Sequence, residues 1–172
     1  MNKSKNPKIL VVGVGNELKQ DDAFGIEFVK AFIETVEIPE HIKVMEVGIG
    51  GIHLVQELHH GYEMLIMVDA VEWGEPPGHL YFREMEDVAD IEEMPVFEKR
   101  TFLADMHYTS PIRALMLAKA LKVLPPKIYI LGCEAKEHDD FAIGMSDVVK
   151  SVIPEAIEKL KLWLNIDINS TT

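Results

Sequence analysis

The sequence predicts a three-layer α/β sandwich built on a mostly parallel sheet. Two observations carry this expectation. Short apolar runs rich in β-branched residues alternate along the chain with segments whose apolar residues recur every three or four positions. No internal repeat, low-complexity tract or Pro/Gly/Ser-rich linker interrupts the alternation. The 172 residues, 48% of them hydrophobic, suffice for a real core. One domain over residues 1–172 is therefore expected, with its core between about 9 and 164.

Lys8 to Val14 is a short apolar run and reads as a buried strand. Phe24, Phe28, Val29, Phe32, Ile33 and Val36 then mark one face of a helix from about Asp22 to Glu37, which stops before Pro39. Ile42 to Val47 is the second strand. Gly51 to His60 is a short helix with Gly61 as its stop. Met64 to Val68 is a third buried strand, and Trp73 to Gly78 has turn chemistry. His79 to Arg83 alternates as an exposed edge strand would. Ser110-Pro111 opens a helix that runs to about Val123, since a hydroxyl can cap and proline suits the first helical position. Lys127 to Gly132 is another buried strand. Ser146 opens a last helix ending near Leu164, and the final residues are expected to fray.

If the second and third strands flank the first, the chain reverses direction beside it. Ligands of open α/β sheets bind at such a switch point, beyond the carboxyl ends of the strands. Chemistry is therefore expected just after Val14 and just after Val68.

Charge narrows the function. With 29 acidic and 17 basic side chains the formal net charge is -12, which disfavours phosphate backbones and anionic membranes. No apolar run approaches the roughly 20 residues of a membrane helix. Ile9 to Val14 is too short for a signal peptide, and one cysteine, Cys133, makes no internal disulfide. A cytoplasmic protein is expected.

Gly13-Val-Gly-Asn-Glu-Leu-Lys-Gln-Asp-Asp22 lies where the first strand turns into a helix. It contains part of a dinucleotide fingerprint, G-x-G-x-x-G, and Glu46 at the end of the second strand could serve as a ribose-binding acid. However, Leu18 occupies the third glycine position, and Asp21 and Asp22 stand where a pyrophosphate needs positive potential. A nucleotide- or flavin-binding module is thus the alternative function. Thermal shift separates it, because only a true binder is stabilised by nucleotide. One of the two aspartates could cap the following helix, which leaves the other for chemistry.

Asp69 ends a buried strand at the same switch point, and its bland role would be hydrogen bonding to loop amides. His107, in Ala104-Asp-Met-His-Tyr-Thr-Ser-Pro111, precedes a helix on the same expected edge. Of the other histidines, His59 and His60 suit a helix C-terminus. His53 shares a face with Glu57 and should be exposed. His41 and His79 have no acidic companions. His138-Asp139-Asp140 is a rival cluster, read as a solvated loop. Two carboxylates and an imidazole would suit a borderline divalent cation such as zinc, nickel or iron. Open positions on it could polarise a peptide carbonyl and a water. The sequence has no H-E-x-x-H helix and no G-x-S-x-G elbow, and Cys133 reads as a packed apolar residue.

Gly13-x-Gly-Asn-x-Leu-x-x-Asp-Asp-x-x-Gly25, followed in order by Val68-Asp69-Ala70 and the His107 loop, resembles the nickel-iron hydrogenase maturation endopeptidases from about Ile9 to Leu164. The resemblance implies a five-stranded mixed sheet with one antiparallel strand, for which His79 to Arg83 is the candidate. It implies removal of a C-terminal extension from the hydrogenase large-subunit precursor after nickel insertion. It carries metal-ligand positions onto Asp22, Asp69 and His107, with nickel supplied by the substrate and a resting enzyme without metal. Alternatively, Asp22 and Asp69 could act as an acid/base pair. Gly15, Asn16 and Glu46 would hold the substrate tail. Glu46-Val-Gly48 departs from the family's usual Asp-Gly-Gly, and Met106 and Asp105 are unusual beside His107; these bear on specificity.

Overall fold

The computed structural model describes residues 7–15, 20–47, 51–104, 111–136 and 144–166. Five strands form one sheet in the order β2-β1-β3-β5-β4. They are β1 (Ile9–Val14), β2 (Ile42–Val47), β3 (Met64–Val71), β4 (Leu80–Glu84) and β5 (Lys127–Glu134). β1 lies parallel between β2 and β3, β3 pairs parallel with β5, and β4 closes the far edge antiparallel to β5. The expected reversal beside the first strand is therefore present. The run from 79 to 83 supplies the antiparallel edge, shifted one residue to Leu80–Glu84.

Helices cover both faces. Val11, Ile66, Val68, Leu131 and Cys133 pack with Phe24, Phe28 and Phe32 of α1 (Phe24–Thr35) and with Ala156, Ile157 and Leu160 of α6 (Ile153–Trp163). Leu10, Val12, Val14, Leu65 and Met67 pack the other way, with Leu54, Val55 and Leu58 of α2 (Ile52–Leu58) and Ala114, Leu115 and Ala118 of α4 (Pro111–Ala120). Alternate residues of each central strand thus enter different cores. That explains why these strands read as unbroken apolar runs.

Three local features differ from the sequence reading. The segment from Asp22 begins as a 3-10 turn, Gln20–Ala23, and becomes α-helical only at Phe24. The last helix is two: α5 (Asp147–Ser151) and α6 are separated at Val152, because Pro154 stands in the first turn of α6 and cannot donate to a preceding turn. A 3-10 turn, Ile91–Glu93, and α3 (Val96–Ala104) fill a stretch for which the sequence suggested no element. Val96 and Phe97 of α3 are exposed, so the helix carries no clean apolar stripe to read.

Candidate active site

The carboxyl edge of β1 and β3 is built around glycine. A Cβ on Gly25, in the first turn of α1, would collide with the carbonyl oxygens of Val14 and Val68. Without it, α1 sits directly on the ends of β1 and β3. Gly15 has φ +146°, and a Cβ there would strike the carbonyl oxygen of Asp22. Thus the spacing of 13, 15 and 25 presses the turn carrying Asp21 and Asp22 against the end of β3, the strand that carries Asp69.

The two neighbouring aspartates have separate roles. Asp21 is fully buried. Its carboxylate accepts the backbone N–H groups of Lys136 at 2.9 Å and Ser146 at 2.7 Å, and the Ser146 hydroxyl lies 2.8 Å from both of its oxygens. It therefore ties the 3-10 turn to the chain after β5 and to the start of α5. The helix-cap role considered from sequence does not occur: Ala23 is the N-cap of α1 and no side chain caps it. Likewise, the Ser146 hydroxyl goes to Asp21 instead of capping α5.

Asp22 is half-buried, and its charge reaches Asp69. Burial, chiefly, and then the charge of Asp22 push the Asp69 carboxyl from the ordinary 3.8 up to about 7, against a lowering contribution from the Ala70 N–H. Asp69 shares the strand parity of Leu65 and Met67, whose side chains lie on the face of α2 and α4. After α4 ends at Ala120, β5 starts at Lys127 level with Met64, the first residue of β3. That helix therefore runs back with Pro111 toward the carboxyl edge.

His107 lies outside the described residues, as do Asn16, Met106, Asp105, Gly48 and His138-Asp139-Asp140. Among the described residues there is no group of three or more His, Cys, Asp or Glu side chains placed to hold a metal. Carboxylates such as those of Asp22 and Asp69 are oxygen donors of the kind that could hold a divalent cation together with further ligands. Glu46 stands opposite Gly13 on β2 near the same edge and is exposed. His41, His53, His59, His60 and His79 are exposed. Cys133 is buried, and burial pushes its thiol up to about 12, with Asp21 and Glu134 adding to the rise, so it is no nucleophile.

One polar residue escaped the sequence reading. Glu134, the last residue of β5, is 5% exposed. It accepts the N–H groups of Trp73 and Gly74 at 2.9–3.0 Å and the Tyr81 hydroxyl at 2.7 Å. Burial alone would raise its pKa, yet the Trp73 amide, the Tyr81 hydroxyl and the Gly74 amide together hold it below the ordinary value. The available signal was an acid closing a buried apolar run, as in Asp69.

Comparison with known proteins agrees with this architecture. The hydrogenase maturation protease family profile matches residues 26–162. The hydrogenase expression/formation protein HupD of Rhizobium leguminosarum bv. viciae is 30% identical over 152 residues, 88% of this chain and 71% of its own. The NiFe hydrogenase maturation protease HybD from Thermococcus kodakarensis is 26% identical with a TM-score of 0.64, covering 91% of this chain and 98% of its own. The hydrogenase maturating endopeptidase HybD from E. coli, at 24% identity, shares the fold with a TM-score of 0.69 over 92% of both chains. These matches support a peptidase and not the nucleotide- or flavin-binding alternative. The chain belongs to the hydrogenase maturation protease family.

Proposed function

We propose that this peptidase removes the C-terminal extension of a nickel-loaded hydrogenase large-subunit precursor, with Asp22, Asp69 and His107 sharing the substrate's nickel. The observation that carries the reading is the Asp22–Asp69 pair, in which one carboxyl is pushed up to about 7 by burial and by its neighbour. Such a pair is costly unless a cation or a proton lies between the two groups. In this reading His107, which precedes Pro111 at the start of α4, supplies the imidazole. Gly15, Asn16 and Glu46 hold the substrate tail. Nickel belongs to the substrate, and the enzyme contributes ligands that complete its coordination. Held by these ligands, the substrate's nickel would polarise the scissile carbonyl for hydrolysis, in which water's hydroxyl adds to the carbonyl carbon and its proton goes to the leaving amine as the C–N bond breaks.

The same observation favours a second mechanism. A carboxyl titrating near neutrality beside another can share its proton and serve as an acid/base pair without metal. In either case we read the chain as one domain working in the cytoplasm on a protein substrate, without nucleic acid or membrane. No helix among the described residues is long and apolar enough to cross a membrane.

The test is to incubate the protein with nickel-loaded and nickel-free precursor and measure the mass lost. Loss from the loaded form alone supports metal sharing. Equal loss from both sinks it and leaves the aspartate pair. His107→Ala should abolish processing while the protein stays folded, with melting temperature measured on the same sample. A folded His107→Ala protein that trims at the wild-type rate refutes the role given to this residue.

A further inference from the structure

We propose that Trp73 is the docking point for the precursor chain flanking the scissile bond, and that it receives an apolar side chain; this rests on the processing reading above. Trp73 lies four residues beyond Asp69, within about 14 Å of extended chain. Glu134, which holds it, stands opposite Val71, two rungs past the Asp69–Gly132 pair. The tryptophan is thus continuous with the carboxylate pair along both the chain and the sheet.

Single exposed apolar residues are common and by themselves mean little. Trp73 differs in how it is held. The residue is 42% exposed, yet both carboxylate oxygens of the buried Glu134 accept its backbone N–H, at 2.9 and 3.0 Å. Its ring meets Tyr81 edge-on at 4.7 Å, and the Arg83 guanidinium lies 4.9 Å from the ring centroid. A buried carboxylate, costly in itself, is spent on fixing the backbone beneath an exposed indole. That is the arrangement of a preorganised contact, since little freedom remains to be lost on binding. Trp is also the residue type most often found carrying interface energy.

The surroundings select the guest. Arg83 already occupies the ring as its cation, so an incoming basic side chain meets like charge. Glu72 and Glu75, both exposed, flank the ring in sequence and repel an acidic one. An apolar side chain remains. Trp163 serves as an internal control. It is 39% exposed, but it packs on Phe82 and on Tyr129, near the start of β5 and so toward the other sheet edge.

The experiment measures steady-state processing over a range of nickel-loaded precursor concentrations by wild type, Trp73→Ala, Trp73→Phe and Trp163→Ala, with melting temperatures taken alongside. Trp73→Ala should raise KM at least about tenfold with kcat within about twofold. Trp73→Phe should recover most of the affinity, and Trp163→Ala should match wild type. Four results overturn the proposal: an unchanged KM in Trp73→Ala, a fall in kcat alone, an equal KM effect in Trp163→Ala, or a Trp73→Ala melting temperature lowered by more than about 4 °C, which assigns the residue to stability. Failure of wild type itself to trim the precursor takes down the processing reading, and this proposal with it.

Discussion

Replacing Asp69 by asparagine should make the protein more stable in alkali and useless as a peptidase. The folded Asp69 carboxyl titrates near 7 against the ordinary 3.8. Between those values the unfolded chain has released a proton that the folded one retains, so stability falls as pH rises through this window. The difference of about 3 pH units corresponds to roughly 4 kcal/mol, and solvent screening of a half-buried group reduces it to roughly 2–4 kcal/mol. An asparagine side chain cannot ionise and escapes that cost. Urea unfolding of wild type and Asp69→Asn at pH 4, 6 and 8 isolates the coupled pair, because titrating groups that do not interact with Asp69 cancel in the difference between the two proteins. The advantage of Asp69→Asn should grow by roughly 2–4 kcal/mol from pH 4 to pH 8, while processing is lost at every pH. A difference that stays constant across this range would refute the claim that Asp69 carries a buried, opposed charge.

Asp21→Asn leaves one amide NH2 facing N–H and O–H donors and should cost roughly 1–3 kcal/mol, read by urea unfolding; Ser146→Ala, which keeps both backbone donors, should cost roughly 0.5–1.5 kcal/mol. Gly25→Ala should cost about 3 kcal/mol or more or prevent soluble expression, because the added methyl meets backbone oxygens of both β1 and β3; a melting temperature within 2 °C or so of wild type would contradict the packing described. If nickel replaces the proton between Asp22 and Asp69, processing of loaded precursor should hold its rate well below pH 7 while the Asp69 carboxyl of the free enzyme titrates near 7 by NMR. A rate that falls as pH rises through 7, where the shared proton leaves, would instead favour the proton-sharing pair.

The order of strands was legible because both faces of the sheet are covered. Val11 and Val12 are each buried, in different cores, so β1 appears as a continuous apolar run that only a central parallel strand tolerates. The switch point followed from that, and with it the neighbourhood of Asp22 and Asp69. The residue pattern by itself left open which of two adjacent aspartates is structural, and only the family resemblance singled out Asp22 for the site. The answer depends on Lys136 and Ser146, more than a hundred residues away, whose amides claim Asp21. Local pattern offered a helix cap, and a long-range tie replaced it. Glu134 was missed for the same reason, since its partners Trp73, Gly74 and Tyr81 are distant in sequence. α3 was missed because its exposed Val96 and Phe97 break the apolar stripe by which helices are recognised.

The arrangement also suggests why a processing enzyme would tolerate such a costly pair. Gly15 and Gly25 let backbone approach backbone beside Asp22 and Asp69, and burial first, then the charge of Asp22, raises the pKa of Asp69. A carboxylate already held in a surface salt bridge would be less costly, but it would have little to gain from a metal. Two opposed carboxyls store free energy that a divalent cation releases on arrival, so affinity for a metal-bearing substrate exceeds that for the same chain without metal. On the nickel-sharing reading, discrimination between loaded and empty precursor is the electrostatic cost of the resting site returned at binding. Relief of the cost held in the resting pair can contribute no more to that preference than the few kcal/mol that Asp69→Asn should restore to stability. A measured preference larger than that would place the remainder on other ligands, with His107 first among them.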